Sequence, residues 1–338
     1  MAACLLRRCS RALCAGAGVA FALYPASSCE PSAVTEKVGP YQIKALLGSG
    51  NYGEVWLGVH RQTGERVAVK RIRKDDVERK IVEREILAMQ RVRECGGHPH
   101  LVTILQHEET KGHYNLVLEV AEGGELFDFL AGGGYFNDER EVARLIQELA
   151  LGLHFLHEKG IVHQDVKPEN CMFSDGNIDR TGTLDTAKLH LKLGDFGCAA
   201  PVDVSGASGL WMHQNERLHK SSHTTQVSSS NKQSHNDSDG NGLAMPNPGW
   251  SLEFGTTAYL PPEVLRKKNR LNGQNRELDK ETIGRAGFPS TDMWSLGCLL
   301  YILLCNYHPF DPDADADDEQ LRHRILEVRA LTYHRYRV

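Results

Sequence analysis

The chain has 338 residues, of which 41% are hydrophobic, which is enough material for one large or two small globular domains. Its formal net charge of −5 gives no overall basic field, so nucleic acid is not favoured as a partner. The nine cysteines are dispersed and form no C-x-x-C pair, which indicates free thiols in a reducing compartment rather than a disulfide framework or a zinc site.

The chain begins with a leader, which we delimit as residues 1–40. Residues 1–29 contain no Asp or Glu, and three arginines precede the apolar run at 12–24. That run is too short to be assigned as a membrane span. It fits a secretory signal peptide, an organelle presequence or a disordered leader, and these interpretations stay open. An intracellular, cytoplasmic location is favoured.

A predicted sheet with one helix follows the leader. Strand-like runs occupy 41–72, 101–107 and 114–121, where apolar residues alternate with polar ones and β-branched residues are frequent. Between them, residues 77–93 have apolar side chains at helical spacing. We therefore predict a small, mainly β lobe over 41–120.

Helical periodicity dominates the remainder of the chain. Apolar spacing predicts helices over 126–130 and 138–159, so residues 121–338 are expected to form a larger, mainly helical lobe. Within it, the polar stretch 203–250 is predicted to be disordered. Its central part, 219–242, contains a single strongly apolar residue and cannot offset the entropy lost on ordering.

The stretch GSGNYGEVW, which starts at Gly48, carries three glycines at the spacing G-x-G-x-x-G. This spacing lets a backbone without side chains approach a phosphate in several nucleotide-binding folds. In a dinucleotide-binding fold the third glycine would open a helix, and a P-loop would continue with G-K-[ST]. Here strand-like runs follow at 54–60 and 66–72, so both folds are excluded and the loop lies beside antiparallel strands.

Further motifs follow the glycine loop along the chain. They are VAVK at 67–70, IVHQDVKPEN at 161–170, LGDFG at 193–197, GTTAYLPPE at 255–263 and STDMWSLG at 290–297. With these motifs the sequence resembles the eukaryotic protein kinases over about 41–330. The resemblance implies an α+β, bilobal fold. A small antiparallel β-sheet lobe with one helix would precede a larger, mainly α-helical lobe that is incomplete at its C-terminus.

The resemblance also implies that ATP and Mg²⁺ bind in one cleft beneath the glycine loop. Leu118 takes the gatekeeper position there, and it also fits an ordinary core residue. The residues implied for ATP binding are Gly48, Ser49, Gly50, Asn51, Tyr52 and Gly53 in the loop, Val55 and Ala68 above the adenine, Lys70 at the α- and β-phosphates, Glu119 and Ala121 at the adenine edge through their backbones, and Met172 below the adenine.

A carboxylate is expected to orient the Lys70 ammonium. Glu85 is preferred for this role because its sequence surroundings match the family better, and Glu83 is the alternative. Asp195 and Asn170 are expected to hold Mg²⁺, since this hard cation prefers oxygen ligands.

The resemblance gives the remaining catalytic roles to three residues. Asp165 is expected to accept the proton of the acceptor hydroxyl, and Lys167 to neutralise the γ-phosphate. Thr256 is expected to contact both of them. Catalysis would then be mainly positioning and electrostatics, because phosphoryl transfer spreads charge over the γ-phosphate oxygens.

The expected partners are protein substrates with serine or threonine acceptors. The run from Asp165 to Asn170 resembles the serine/threonine branch rather than the tyrosine branch. Glu125 and Glu169 match kinases that prefer an arginine upstream of the target, because two carboxylates can bind one guanidinium. In this respect the sequence is similar to the calcium/calmodulin-dependent group.

The sequence departs from the family pattern at three places. Gln164 replaces the arginine that grips a phosphate on the activation loop, which places activation by loop phosphorylation in doubt. Pro262 replaces an alanine, which we treat as minor. The last predicted helix, 319–330, lies close to the chain end, and Glu263 is expected to lack its usual arginine partner. The alternative hypothesis is therefore a catalytically impaired, pseudokinase-like module that binds nucleotide or serves as a scaffold.

The acidic loop 311–317 has aspartates at alternate positions, as a calcium loop does, but its sixth residue is Ala316 and its twelfth is Arg322. An EF-hand is therefore rejected, and we interpret the loop as a solvated turn. The basic end of the chain is compatible with a calmodulin target, although a kinase helix is favoured; its arginines are Arg322, Arg324, Arg329, Arg335 and Arg337.

Overall fold

The computed structural model describes residues 36–50, 53–175, 186–202, 255–266 and 288–327. The first 35 residues of the predicted leader, the predicted insertion at 203–250, the last eleven residues and the loop residues Asn51 and Tyr52 lie outside the described residues.

A six-stranded antiparallel sheet forms the first lobe. Its strands are Lys37–Val38 (β1), Tyr41–Gly50 (β2), Gly53–His60 (β3), Arg66–Arg73 (β4), Ile104–Glu109 (β5) and His113–Glu119 (β6), and they lie in the order β1-β2-β3-β4-β6-β5. The predicted sheet is confirmed, with two changes. β1 pairs with β2 before the predicted start of the lobe at Tyr41. The strand predicted from residue 101 begins later, because Leu101 pairs instead with Leu193 of the second lobe.

One helix, α1 (Arg79–Glu94), packs against this sheet. Its buried apolar residues recur at helical spacing, as an amphipathic helix requires; they are Val82, Ala88, Met89 and Val92. Glu85 lies on the same buried face. A charge in that position is costly unless it is paired, so α1 carries a carboxylate that needs a cation on the sheet.

The second lobe is mainly helical, as predicted. Its helices are α2 (Leu126–Ala131), α3 (Glu139–Glu158), α4 (Pro289–Cys305) and α5 (Asp318–Leu326). Short antiparallel strand pairs lie among them: β7 (Ile161–Val162) pairs with β10 (Ala200–Pro201), and β8 (Cys171–Phe173) pairs with β9 (Leu191–Leu193). The segment 163–170 runs from β7 to β8, and the segment 194–199 runs from β9 to β10. Because β7 pairs with β10 and β8 pairs with β9, the two segments lie next to each other.

Apolar packing continues from one lobe into the other. The main core contains Ala68 and Leu118 of the sheet, Leu101 next to it, and Leu149 and Leu299 of the large helices. The predicted bilobal α+β fold is therefore confirmed. No helix within the described ranges is long and apolar enough to cross a membrane.

The acidic loop before α5 differs from its prediction. Asp311 is buried, and its Oδ1 accepts hydrogen bonds from the Ala316 backbone and from Arg324 Nη1 at 3.0 Å. The interpretation as a solvated turn is therefore wrong for Asp311, although Asp313 and Asp315 are exposed. The pattern of alternate aspartates could not show that an arginine on α5 returns to this loop.

Helix α5 is packed into the second lobe. Leu321 and Ile325 are fully buried, and the Asp317 side chain caps the first turn by accepting a hydrogen bond from the Gln320 backbone. Arg324 forms an ion pair with Asp311 of the acidic loop. The last three arginines of the chain lie outside the described residues, so the calmodulin interpretation stays a prediction.

Candidate active site

Lys70 projects from β4 into the space between the lobes and contacts two carboxylates. Its Nζ lies 2.6 Å from Glu85 Oε1 and 2.9 Å from Asp195 Oδ1. Glu83 instead lies on the exposed side of α1 and pairs with Arg79 at 2.6 Å. The structure therefore places Glu85, and not Glu83, against Lys70.

Burial and charge act in opposite directions on these three groups. Burial alone would lower the pKa of Lys70, but the charges of Asp195 and Glu85 outweigh it and raise that pKa above its usual value. Burial works to raise the pKa of Asp195, yet Lys70 holds that pKa below its usual value. Burial raises the pKa of Glu85 despite Lys70, and the charge of Asp195 adds to the increase. Lys70 and Asp195 are therefore the firmly charged members of the group.

The backbone around Asp195 fixes the direction of its side chain. Asp195 has a φ of 55°, in the left-handed region that few non-glycine residues adopt. Its Oδ1 accepts a hydrogen bond from the Gly197 backbone at 3.2 Å. The Phe196 side chain is fully buried, and its ring centroid lies 5.1 Å from that of His163. This packing keeps the carboxylate turned towards Lys70.

Asp165 lies at the centre of a second buried cluster. Its Oδ2 is 2.8 Å from Lys167 Nζ and 3.0 Å from Asn170 Nδ2. Its Oδ1 accepts hydrogen bonds from the backbone N–H and the hydroxyl of Thr256, each at 3.1 Å. Lys167 Nζ also donates to Thr256 Oγ1 at 2.8 Å. Four residues that lie up to 91 positions apart in the chain are thus joined in one hydrogen-bonded group.

The residues predicted to hold Mg²⁺ fit such a cation. Asn170 Oδ1 is buried and accepts no hydrogen bond from the described part of the chain, while Asn170 Nδ2 is held by Asp165. A buried acceptor without a donor is costly, and a cation would satisfy it. Asn170 and Asp195 line the same cleft. Magnesium needs only one or two protein ligands when phosphate and water oxygens complete its shell.

Apolar side chains line the inner part of this cleft. Val55 and Ala68 belong to the sheet, whereas Met172 belongs to β8 of the second lobe, and all three are almost completely buried. Leu118 lies at the back of the cleft and is 9% exposed, so it also serves as a core residue. Val55 and Met172, two of the predicted adenine contacts, therefore line one cleft from opposite lobes, whereas Ala68 is fully buried and is not among the residues that line it.

Among the described residues, the segment that joins the lobes includes a backbone donor, at Ala121, that is available for a ligand. The N–H of Ala121 makes no hydrogen bond within the described ranges. The N–H of Glu119 differs, because it donates to the Thr103 carbonyl at 3.0 Å. Any contact from Glu119 to an adenine edge must therefore use its carbonyl oxygen.

The glycines of the loop lie in the facing ends of β2 and β3. Gly48 is paired with Val55, Ser49 with Glu54 and Gly50 with Gly53, and Ser49 is exposed. Gly53 has a φ of 142°, and a Cβ built there would lie 2.0 Å from the Arg71 carbonyl oxygen. A side chain at Gly53 would therefore force β3 away from β4, the strand that carries Arg71.

Glu125 and Glu169 lie in elements that pack against each other. Glu125 directly precedes α2, and Glu169 belongs to the 3₁₀ turn Pro168–Asn170. They are only 4% and 6% exposed. A substrate arginine would therefore have to insert its guanidinium between α2 and this turn to reach them.

The sequence analysis gave no role to Asp292, although it lies within the STDMWSLG motif. Asp292 is fully buried, and its oxygens accept hydrogen bonds from the backbones of His163 and Gln164 at 2.9 and 2.7 Å. His157 Nε2 lies 2.7 Å from the same carboxylate. These contacts hold the segment that presents Asp165. A charged residue at the start of an otherwise apolar helix was the available signal.

Gln164 has a φ of 66°, and its backbone N–H is anchored by Asp292. The replacement of the usual arginine therefore leaves the backbone of this segment fixed. Glu263 is exposed and forms no ion pair within the described ranges. The expectation that Glu263 lacks an arginine partner stays a prediction, because residues 267–287 lie outside those ranges.

Comparisons with known proteins agree with this geometry. Residues 41–227 match the family profile of the protein kinase domain. A serine/threonine-protein kinase PKZ1 of Phytophthora infestans is 32% identical over 297 residues, which cover 84% of this chain and 59% of that protein. CBL-interacting serine/threonine-protein kinase 2 of Arabidopsis thaliana is 29% identical over 284 residues, which cover 83% of this chain and 46% of the relative.

A third relative, the probable serine/threonine-protein kinase fhkE of Dictyostelium discoideum, is 28% identical over 290 residues, or 85% of this chain and 32% of that protein. The chain thus spans less than two thirds of the length of these relatives. The family profile covers more than half of the chain, and the relatives are all named as serine/threonine kinases. The chain therefore belongs to the protein kinase domain family, among the eukaryotic serine/threonine kinases.

Proposed function

We propose that this chain transfers the γ-phosphoryl group of ATP to serine or threonine hydroxyls of protein substrates. One observation carries the proposal: Asp165 is bound to Lys167, Thr256 and Asn170 in a buried cluster, and Asn170 of this cluster also lines the cleft that holds Lys70 and Asp195. Such a group supplies fixed charges and a proton acceptor without reorganisation, and phosphoryl transfer depends on both.

Each residue has a part in the proposed transfer. Lys70 holds the α- and β-phosphates and is itself oriented by Glu85, since their contact of 2.6 Å fixes the ammonium. Asp195 and the free Oδ1 of Asn170 would hold Mg²⁺. The bound metal supplies positive charge that offsets the charge on the phosphate oxygens.

The acceptor hydroxyl attacks the γ-phosphorus, and the bond to the bridging oxygen of ADP breaks. Asp165 accepts the hydroxyl proton through its carboxylate. Lys167 stabilises the charge on the transferred group, and Thr256 holds Asp165 and Lys167 at their mutual distance of 2.8 Å. The hydroxyl must therefore enter at the side of the cleft where Thr256 lies.

A labelling experiment tests the proposal against the alternative of an inactive nucleotide-binding module. Purified protein is incubated with Mg-ATP and a generic basic protein substrate, and incorporated phosphate is measured. Asp195→Asn should abolish incorporation, whereas Asp313→Asn, at an exposed aspartate of the second lobe, should leave it unchanged. Equal incorporation by wild type and Asp195→Asn, or none by wild type, would reject the enzyme and favour the binding module.

For the substrate, we propose a preference for an arginine upstream of the acceptor. The support is the placement of Glu125 and Glu169 in two packed elements next to the Asp165 cluster, where two carboxylates suit one guanidinium. On a peptide array, replacing the upstream arginine should weaken phosphorylation, and Glu125→Gln should reduce the difference. Glu158→Gln, at an exposed glutamate of α3, is the matched control. An array that shows no penalty for losing the arginine contradicts this preference.

A further inference from the structure

The 3₁₀ turn Thr257–Tyr259 borders the place where the acceptor hydroxyl must enter. The turn begins directly after Thr256, whose backbone and hydroxyl both contact Asp165. Displacing the turn would therefore displace Thr256 and its contacts to Asp165. Two side chains from other parts of the second lobe hold this turn by its carbonyl groups.

The first of these is His308, which is 5% exposed. Its Nδ1 lies 3.3 Å from the Phe310 backbone nitrogen, and its Nε2 lies 3.1 Å from the Ala258 carbonyl oxygen. Because the Phe310 N–H can only donate, Nδ1 must accept and the proton lies on Nε2. The imidazole is therefore neutral and donates to Ala258. Its ring also meets the Tyr259 ring edge-on, at a centroid distance of 5.4 Å.

The second is Ser295 of α4. Its Oγ lies 2.8 Å from the Tyr259 carbonyl oxygen and 3.1 Å from the carbonyl of Thr291. The residue three positions earlier on this helix is Asp292, which anchors the segment of Asp165. Helix α4 therefore contacts both the segment that carries Asp165, through Asp292, and the 257–259 turn, through Ser295.

We propose that His308 and Ser295 are positioning residues that fix the 257–259 turn, so that they govern how a protein acceptor, but not ATP, is placed for transfer. This inference rests on the proposed kinase function. Neither side chain lies among the residues that line the ATP cleft. The hydrogen bonds that they make go only to backbone atoms of the turn and of their own neighbourhood.

The test separates transfer to peptide from transfer to water. Full-length wild type, His308→Ala, His308→Gln and Ser295→Ala are compared in peptide phosphorylation and in ATP hydrolysis without peptide. His308→Gln places an amide N–H near the position of Nε2 and is the conservative variant. His323→Ala is the matched control, because this histidine of α5 is exposed and its side chain pairs with Glu327 in the part of the chain that the structure describes. Thermal midpoints are recorded for all of them.

Loss of either carbonyl contact should lower kcat/KM for the peptide about tenfold or more, since small misplacements of an acceptor are costly in rate. The KM for ATP and the rate of ATP hydrolysis should stay within about twofold of wild type, and His308→Gln should recover most of the peptide activity. Unchanged peptide kinetics in Ser295→Ala, or a parallel fall of peptide transfer and hydrolysis, would overturn the inference. If His308→Ala does not fold, Ser295→Ala and His308→Gln decide between these outcomes. An inactive wild type would instead reject the proposed function itself.

Discussion

Lys70 shows how far the chemistry of one residue depends on the groups around it. Its ammonium is the cation between two buried carboxylates, Glu85 and Asp195. Substitution by methionine keeps the length of the side chain but leaves both carboxylates without that cation. Glu85, whose pKa burial already raises, then takes up a proton more readily, and the cleft loses the positive charge that is proposed to hold the phosphates.

We predict that Lys70→Met lowers kcat for peptide phosphorylation by about 100-fold or more, which is typical when a preorganised charge is removed from an active site. Lys44→Met is the control, because Lys44 is an exposed lysine of the same sheet and contacts only Gln42. Steady-state kinetics with saturating ATP measure both. A similar loss of kcat in both variants would mean that the substitutions disturb the sheet, and that the Lys70 ammonium itself is not required.

His308 gives a second prediction at this scale, which concerns pH. Burial lowers the pKa of His308 to about 4, from an ordinary value of 6.5. Between these values the unfolded chain binds a proton at this position and the folded chain does not. Stability therefore falls as pH decreases through this window.

The expected loss from His308 between pH about 7 and about 4.5 is about 2 kcal/mol of unfolding free energy. Urea unfolding at the two pH values measures it. His308→Gln cannot titrate, so it should lose about 2 kcal/mol less than wild type over the same interval. Equal losses in the two proteins would show that the histidine takes up its proton in the folded state.

Motifs named single residues that the structure brings together, whereas residues whose contacts depend on the fold alone were not predicted. The motifs located Asp165, Asn170 and Asp195, because phosphoryl transfer demands particular side chains at those positions. The burial of Asp311 could not be predicted, since its partner, Arg324, lies on α5 and not in the acidic loop. The role of His308 depends on contacts to backbone atoms, which leave no pattern in a single sequence. For Asp292 the available signal was a charge at the start of an otherwise apolar helix.

Elements were predicted from periodicity, and their ends were set by interactions outside the element. The apolar spacing of α3 predicted 138–159, and the helix runs from Glu139 to Glu158 with the Asp138 side chain as its N-terminal cap. β5 starts later than predicted because Leu101 is used in a bridge to β9. Strand pairing between lobes is a long-range choice that alternating apolar residues do not encode.

Glu148 makes the connection between α3 and β9, the strand that leads to Asp195. It is buried, and its carboxylate accepts hydrogen bonds from Arg144 at 2.8 Å and from the Leu191 backbone N–H at 2.9 Å. The same carboxylate lies 2.7 Å from His190 Nδ1. Removing the carboxylate leaves these donors without their acceptor.

We predict that Glu148→Ala lowers the unfolding free energy by about 2–4 kcal/mol, because the buried Leu191 N–H loses its acceptor and Arg144 loses its carboxylate, keeping the carbonyls of Leu189 and Thr186. Glu148→Gln keeps one acceptor oxygen and should cost less. Glu158→Ala, on the exposed part of the same helix, is the control and should change stability by less than about 0.5 kcal/mol. Urea unfolding of the three variants checks the order. If Glu148→Ala were no worse than Glu158→Ala, the contacts to β9 would contribute nothing to stability.

At the scale of the whole molecule, the cleft is made by residues from both lobes. Val55 and Lys70 come from the sheet, while Met172 and Asp195 come from the second lobe. A nucleotide that contacts all four joins the lobes, and its binding free energy is added to the stability of the folded chain. A metal held by Asn170 and Asp195, the two predicted ligands, would contribute through the second lobe, since both residues belong to it.

We therefore predict that a non-hydrolysable ATP analogue with Mg²⁺, at about 100 times its dissociation constant, stabilises the protein by about 2.7 kcal/mol and raises the thermal midpoint by about 5 °C. Addition of EDTA should remove part of this increase, because the charge of the phosphates is then opposed only by Lys70 and Lys167. Asp195→Asn should show the smaller increase both with and without EDTA, whereas Asp313→Asn should behave as wild type. Differential scanning fluorimetry measures the three proteins with and without EDTA. An increase in Asp195→Asn that still depends on Mg²⁺ to the full extent would place the metal elsewhere than beside Asp195 and Asn170.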